Sequence, residues 1–134
     1  MIKMWGASSM LMALLWYSWH GIILNDIAFS PLSDSALFAI AAGLYFTLGG
    51  LQTVLFTGLL RKFRSLSATL IVGLSTGIIT FTVVNLVMGL YGFTDQTIYF
   101  LMDTGWQLFE QTAGAFAVML IFQYSHRRYY NPLQ

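Results

Sequence analysis

The sequence lacks cysteine and has very little charge. Of its 134 residues, 8% are Asp, Glu, Lys or Arg, whereas about a quarter are charged in an ordinary soluble domain. The absence of cysteine excludes disulfide bonds, thiol redox chemistry and any Cys-ligated zinc or iron–sulfur site. Six Lys and Arg residues in a chain of net charge +1 provide no basic surface for nucleic acid. The composition therefore excludes a soluble globular enzyme, a disordered tail and a nucleic-acid-binding protein.

Long apolar stretches occupy most of the chain. Hydrophobic residues make up 57% of the sequence, and the mean hydropathy is +0.72. A helix that crosses a bilayer needs about 20 mainly apolar residues. The stretches that meet this requirement are residues 4–27, 36–60, 67–91 and 97–124. The sequence thus predicts an all-α membrane protein, a four-helix transmembrane bundle that forms one domain over residues 1–134, with antiparallel neighbours because every connection is short.

The connections contain residues that typically begin helices. Ser33 or Asp34 is a candidate N-cap for the second helix, and Thr94 or Asp95 for the fourth.

Charged residues outside the apolar stretches are segregated by sign. With four spans, every basic residue falls on one side of the membrane: Lys3, Arg61, Lys62, Arg64, Arg127 and Arg128. The loop acids Asp26, Asp34 and Asp95 fall on the other side. The positive-inside rule then places both termini in the cytoplasm. We expect an integral protein of a bacterial inner membrane.

Two acids, Asp103 and Glu110, lie within the fourth apolar stretch. An ionisable group at membrane depth is costly and indicates a functional site by default. Helical periodicity places Asp103, Gln107, Glu110, Gln111 and Gly114 within an arc of about 100°. This polar stripe is expected to face protein or water, because lipid cannot satisfy it.

The polar residues of the other helices match the stripe in two layers. At about 1.5 Å per residue, His20 lies roughly 10 Å from the outer side, and Asn85 and Asp103 lie about 9 Å from it. Gln52 and Glu110, with Gln111 beside it, form a deeper layer about 20–24 Å from that side.

The two layers predict different chemistry. A His20–Asp103 pair would titrate as a coupled unit and pass a proton or sense pH. Glu110 has no basic residue at its own depth, so its neutral form is favoured. A neutral Glu110 is able to donate a hydrogen bond to Gln52 or Gln111, or to exchange its proton for a cationic ligand.

A structural interpretation applies to the same residues. Membrane helices use polar side chains to hydrogen-bond one another, and Asn85, Gln52, Gln107 and Gln111 suit this role. Gly73 and Gly77 form a GxxxG pattern, which allows helices to approach closely.

The sequence contains little evidence for a cofactor or a catalytic site. His20 and His126 lie at opposite ends of the bundle, so they cannot ligate one haem within a chain. A tetrapyrrole pigment, or a haem held by His20 from two copies, is the alternative left open. His20 and Asp103 make an incomplete metal site of two ligands. No complete catalytic constellation is visible, so we expect no metal and no cofactor, and a membrane enzyme is the third and least favoured alternative.

Two short segments resemble a known type of protein. Residues 16–21, Trp-Tyr-Ser-Trp-His-Gly, and residues 103–107, Asp-Thr-Gly-Trp-Gln, are similar to segments of small four-helix bacterial membrane proteins of unknown function. The resemblance implies four spans and carries no activity to any residue.

Two hypotheses for function follow. The first is a small transport-type protein in which Glu110 binds a proton or cation and His20 and Asp103 form an outer gate or relay. Asn85, Gln107, Gln52 and Gln111 would line the route. The second is a non-catalytic accessory subunit of a larger respiratory or photosynthetic complex, in which the polar stripe contacts a partner. The expected partners are lipid and either further copies of the chain or other membrane subunits.

Overall fold

The described part of the chain is almost entirely helical. The computed structural model describes residues 1–25, 33–90 and 97–130. Within these ranges there are four α-helices and no strand: α1 (Ile2–Tyr17), α2 (Asp34–Leu59), α3 (Ser65–Leu90) and α4 (Thr97–Tyr130). A π-helical segment, Ser18–Ile23, directly continues α1. The predicted all-helical architecture with four helices is confirmed.

The helix ends have local causes. Asn25 adopts a φ of 52°, and this left-handed conformation cannot continue a helix, so the first helical segment ends before the predicted residue 27. The Ser33 hydroxyl accepts a hydrogen bond from the backbone N–H of Ala36 at 3.4 Å, which makes Ser33 the N-cap of α2. The predicted caps Thr94 and Asp95 lie outside the described residues. Helix α4 extends past the predicted end at residue 124 and reaches Tyr130.

The helices pack as an antiparallel bundle. Helix α4 packs against α1, α2 and α3, and α2 also packs against α1 and α3. One end carries the start of α1 and the connection from α2 to α3, with Lys3, Arg61, Lys62 and Arg64 exposed; we call it the basic end. The other carries the end of α1, the start of α2 and Asp103; we call it the acidic end.

Large apolar side chains cover the outside of the bundle. Leu14 of α1, Phe46 of α2, Ile78 of α3 and Phe109 of α4 are each at least half exposed. Two of the described helices are long and apolar enough to cross a membrane, α2 over Asp34–Leu59 and α3 over Ser65–Leu86. This finding rests on length and composition.

The basic end contains the main apolar cluster. Phe56 is fully buried there, and its ring meets that of Phe122 edge to face at 5.6 Å. The buried members, which we call the basic-end cluster, are Met4, Phe56, Ala68, Val72, Ala115, Val118 and Met119.

Glycine lets the helix backbones approach closely at two interfaces. A Cβ atom on Gly73 would lie 2.6 Å from the Cα of Thr112, and one on Gly77 would lie 3.2 Å from the Cα of Leu108. Gly49 of α2 is similarly close to the backbone of Ser9 in α1. The two glycines of the GxxxG pattern thus lie where α3 meets α4.

We predict that Gly73→Ala lowers the melting temperature of the protein in detergent. The new methyl group meets the α4 backbone, which cannot move aside as a side-chain end does. The control is Gly43→Ala, because no atom lies within 4 Å of a Cβ there. That substitution should be neutral or stabilise helix α2 by about 0.5–1 kcal/mol. Equal melting temperatures for the two variants would show that α3 and α4 do not meet at Gly73.

Candidate functional site

A hydrogen-bonded cluster around Gln52 joins all four helices. The Ser8 hydroxyl of α1 donates to Gln52 Oε1 at 2.8 Å. Gln52 Nε2 donates to Thr76 Oγ1 of α3 at 3.1 Å. The same nitrogen donates to the backbone carbonyl of Gln111 in α4 at 2.9 Å and to its Oε1 at 3.0 Å. Gln52 and Gln111 are both 0% exposed, so these bonds replace those that water would make.

Glu110 extends this cluster and is its one acidic member. Gln111 Nε2 donates to Glu110 Oε1 at 3.3 Å, and the Tyr45 hydroxyl of α2 is hydrogen-bonded to the Glu110 carboxyl. Glu110 is 1% exposed. The sequence contains no Lys or Arg from residue 4 to 60 or from 65 to 126. The carboxyl group is therefore held by neutral partners in the middle of the bundle.

Gly114 makes room for the cluster. A Cβ atom there would lie 2.7 Å from the sulfur of Met12 and 2.8 Å from Gln52 Oε1. Because α4 presents bare backbone at this position, Met12 and the Gln52 amide both reach the helix surface. Gly114 belongs to the predicted stripe, and its function in the structure is to admit these two side chains.

An aromatic side chain, that of Trp19, binds Asp103 at the acidic end. Trp19 Nε1 donates to Asp103 Oδ1 at 2.9 Å. The Trp19 ring stacks on Trp106 with ring centroids 4.6 Å apart and planes 12° apart. His20 lies beside Trp16, with ring centroids 5.8 Å apart. Trp19 and His20 both belong to the π-helical segment, and such segments are frequent at functional sites.

Three polar atoms near the acidic end lack a hydrogen-bond partner in the described part of the chain. They are Thr80 Oγ1, Trp106 Nε1 and Gln107 Nε2. Ser9 Oγ, at the level of the Gln52 cluster and directly after Ser8 on α1, shares this property.

The structure brings together the deeper predicted layer. Gln52, Glu110 and Gln111 are linked directly by hydrogen bonds. In the outer layer, the Asp103 carboxylate binds the indole of Trp19, and the Asn85 amide donates to the carbonyl of Phe81 in its own helix at 2.8 Å.

Sequence reasoning missed several participants. Ser8, Tyr45 and Thr76 complete the cluster, and Trp19, which stacks on Trp106, binds Asp103. Some signals were present, since Tyr45 is a lone phenol inside its span and Thr76 lies within the Gly73–Gly77 pattern. Neither signal identifies a partner on another helix.

The chemistry of the site is that of a protonatable group. Among the described residues, no group of three or more His, Asp or Glu side chains is placed to hold a metal ion. A carboxyl beside a phenol and an amide is able to gain or lose a proton, or to bind a cation as a carboxylate. The same carboxyl group also holds helices together through its contacts with these neighbours.

The chain was compared with protein-family models, curated proteins and solved structures. None of the three comparisons finds a significant match.

We predict that Gln52→Leu destabilises the folded protein by about 1–2 kcal/mol, because Ser8, Thr76 and Gln111 lose a buried partner. The measurement is reversible unfolding in mixed micelles. The matched control is Thr82→Val, because the exposed Thr82 hydroxyl bonds within its own helix, to the carbonyl of Ile78 at 2.8 Å. If Gln52→Leu is as stable as the control, the cluster does not hold the helices together.

Proposed function

We propose that all four helices cross a membrane. The support is the distribution of polarity, which is the reverse of that in a soluble bundle. Glu110, Gln111 and Gln52 are buried, while Leu14 is exposed on α1, which has 16 residues before the π-helical segment, and Phe109 is exposed on α4. Hydrocarbon solvates such an exterior, and the polar stripe of α4 accounts for its lower hydropathy.

We propose that the basic end faces the cytoplasm. Lys3, Arg61, Lys62 and Arg64 are exposed at this end, and the positive-inside rule applies to such short connections. The N-terminus and the end of α4 then lie in the cytoplasm, and the protein belongs to a bacterial inner membrane.

We propose that the protein is of the transport type, with Glu110 as its proton- or cation-binding site. The observation that carries this proposal is a buried carboxyl group whose hydrogen-bonding partners, Tyr45 and Gln111, are uncharged. An ionisable side chain at this depth is costly and marks a functional site by default.

Exchange at Glu110 keeps the interior neutral. When a cation binds, the carboxyl group releases one proton, and the carboxylate and the cation together carry no net charge. When the cation leaves, a proton returns. Each bound state avoids the high free energy of an unpaired buried charge. His20 and Asp103 would act as the outer gate, with Asn85, Gln107, Gln52 and Gln111 along the route.

Oligomerisation would complete the route, because one bundle of this size has little interior. An open apolar groove of about 500 Å³ runs along α1 and α4 and offers a contact surface for another copy. Its lining residues are Leu11, Phe109, Thr112, Ala113, Phe116, Ala117 and Leu120.

A second candidate function is the accessory subunit of a larger membrane complex. Its support is the pairing of Gln52, whose oxygen and nitrogen both bind groups of the same chain. Because Glu110 and Gln111 are buried within the bundle, a partner would contact the exposed apolar side chains and not these two members of the polar stripe. A cluster satisfied in this way stabilises a bundle without conducting anything. A stoichiometric set of foreign subunits in a native purification would favour this candidate.

The orientation is tested with single cysteines, since the chain has none of its own. Ser35→Cys, at the start of α2, should react with a membrane-impermeant maleimide in intact cells. Phe63→Cys, between α2 and α3, should react only after permeabilisation. Both positions are exposed, so burial does not explain a difference. Reaction of Phe63→Cys in intact cells would reverse or exclude the proposed orientation.

The transport proposal is tested by Glu110→Gln, which keeps the size of the side chain and removes its titration. Proton flux is followed in proteoliposomes with an entrapped pH-sensitive dye, the voltage being clamped with valinomycin and potassium. We expect the flux to fall to that of protein-free liposomes, while Thr82→Val retains the wild-type rate. Wild-type flux from correctly assembled Glu110→Gln would refute the proposed role of Glu110, and a wild-type protein with no flux above that of protein-free liposomes would favour the accessory subunit.

A further inference from the structure

The layers of residues one helical turn from the Gln52 cluster on its two sides differ in polarity. On each helix we consider the residue four positions, or about one turn, toward the basic end from the member of the Gln52 cluster. Starting from Ser8, Gln52, Thr76 and Gln111, all four of these residues are apolar. They are Met4, Phe56, Val72 and Ala115. All four are buried and belong to the basic-end cluster. The cluster is therefore covered on this side by packed side chains that offer water no hydrogen bond.

One helical turn toward the acidic end, two of the four corresponding positions are polar. Met12 and Leu48 occupy α1 and α2, and Thr80 and Gln107 occupy α3 and α4. Thr80 is 6% exposed, yet its Oγ1 has no hydrogen-bond partner in the described part of the chain, and neither has Gln107 Nε2. Buried polar groups are normally paired with protein or with ordered water.

Thr80 and Gln107 lie at the same level of the bundle. Each is one turn beyond a residue that binds the Gln52 amide, Thr76 on α3 and Gln111 on α4. The two helices are in close contact here, because a Cβ atom on Gly77 would lie 3.6 Å from the carbonyl oxygen of Gln107. Two unsatisfied groups on adjoining helices thus stand between the Gln52 cluster and Asp103.

We propose that Thr80 and Gln107 bind water, and that this water connects Glu110 with the acidic end of the bundle but not with the basic end. The proposal rests on the proposed function, which makes Glu110 the exchanging group. A polar layer with unpaired hydrogen-bonding groups takes up water, whereas a packed apolar layer stays dry. Protons then reach Glu110 from the outer side, and the basic-end cluster separates it from the cytoplasm in this conformation.

The positions of the other titratable groups near Glu110 are consistent with proton entry from the acidic end. Helix α2 contributes Tyr45, which is hydrogen-bonded to Glu110. Around the cluster, α1 and α3 contribute Ser8, Met12 and Thr76, none of which titrates. Farther along, Asp103 of α4 and His20 after α1 both lie toward the acidic end.

The test uses silver ion, a small thiol reagent that follows aqueous paths. Thr80→Cys is compared with Thr69→Cys, a matched substitution on the same helix at the basic end. Both threonines are buried, at 6% and 0% exposure. Silver is added on the acidic side of oriented membrane vesicles, and unreacted thiols are counted with a maleimide after denaturation. Thr80→Cys should react more than about tenfold faster than Thr69→Cys, because only Thr80 borders the hydrated layer.

Equal rates for the two variants, or reaction of Thr80→Cys from the basic side alone, would overturn the proposal. Gln107→Cys repeats the test on α4 and decides the outcome if Thr80→Cys fails to assemble. The proton-flux assay of Glu110→Gln separates the two proposals. An unreactive Thr80→Cys with flux that still depends on Glu110 refutes only the one-sided water path. Flux that does not depend on Glu110 refutes the proposed function whatever the silver reactivity.

Discussion

The side-chain amide of Gln52 is the interaction on which the arrangement of the four helices depends. Its oxygen binds Ser8 of α1, and its nitrogen binds Thr76 of α3 and Gln111 of α4. An amide without partners is costly in an apolar medium, so a rotation of any one helix that breaks these bonds raises the free energy of the fold. The glycines at the α1–α2 and α3–α4 interfaces bring the backbones near enough for short side chains such as Ser8 and Thr76 to take part. Glu110 is placed beside this centre by its neighbour Gln111.

The position of Glu110 connects the packing to the proposed activity. Tyr45 and Gln111 bind its carboxyl group without a compensating charge, so the interior stays neutral only when a proton or a cation is bound. The helix turns on either side of the Gln52 cluster are unlike, with an apolar layer around Phe56 and a partly polar layer that contains Thr80 and Gln107. Interior residues spaced four apart on the helices therefore change from partly polar near the acidic end to apolar near the basic end. With the proposed water path, such a site would exchange with one side at a time, as transport requires.

The sequence predicted the features that depend on one helix at a time. Hydropathy located the helices, Ser33 was a correct candidate for the cap of α2, and the 3.6-residue period placed Glu110 and Gln111 on an inward face of α4. Contacts between helices depend on how each helix is rotated about its axis, which the pattern of a single helix does not determine. Tyr45 and Thr76 were missed for this reason. Trp19 was missed because a π-helical turn changes the angle between successive side chains, so an α-helical projection does not show that its indole reaches Asp103.

The most direct test of the account is the surroundings of the Glu110 carboxyl group in a lipid bilayer. Glu110 is the only glutamate in the chain, so cell-free synthesis with ¹³C-labelled glutamate marks this residue without a mutation. With tyrosine and glutamine labelled as well, solid-state NMR reports which groups lie next to the carboxyl carbon. The account predicts contacts with a tyrosine ring and with a glutamine side chain, and the tyrosine contact should disappear in Tyr45→Phe. Contacts with lipid acyl chains in place of these two would contradict a four-helix bundle built around a shared polar centre.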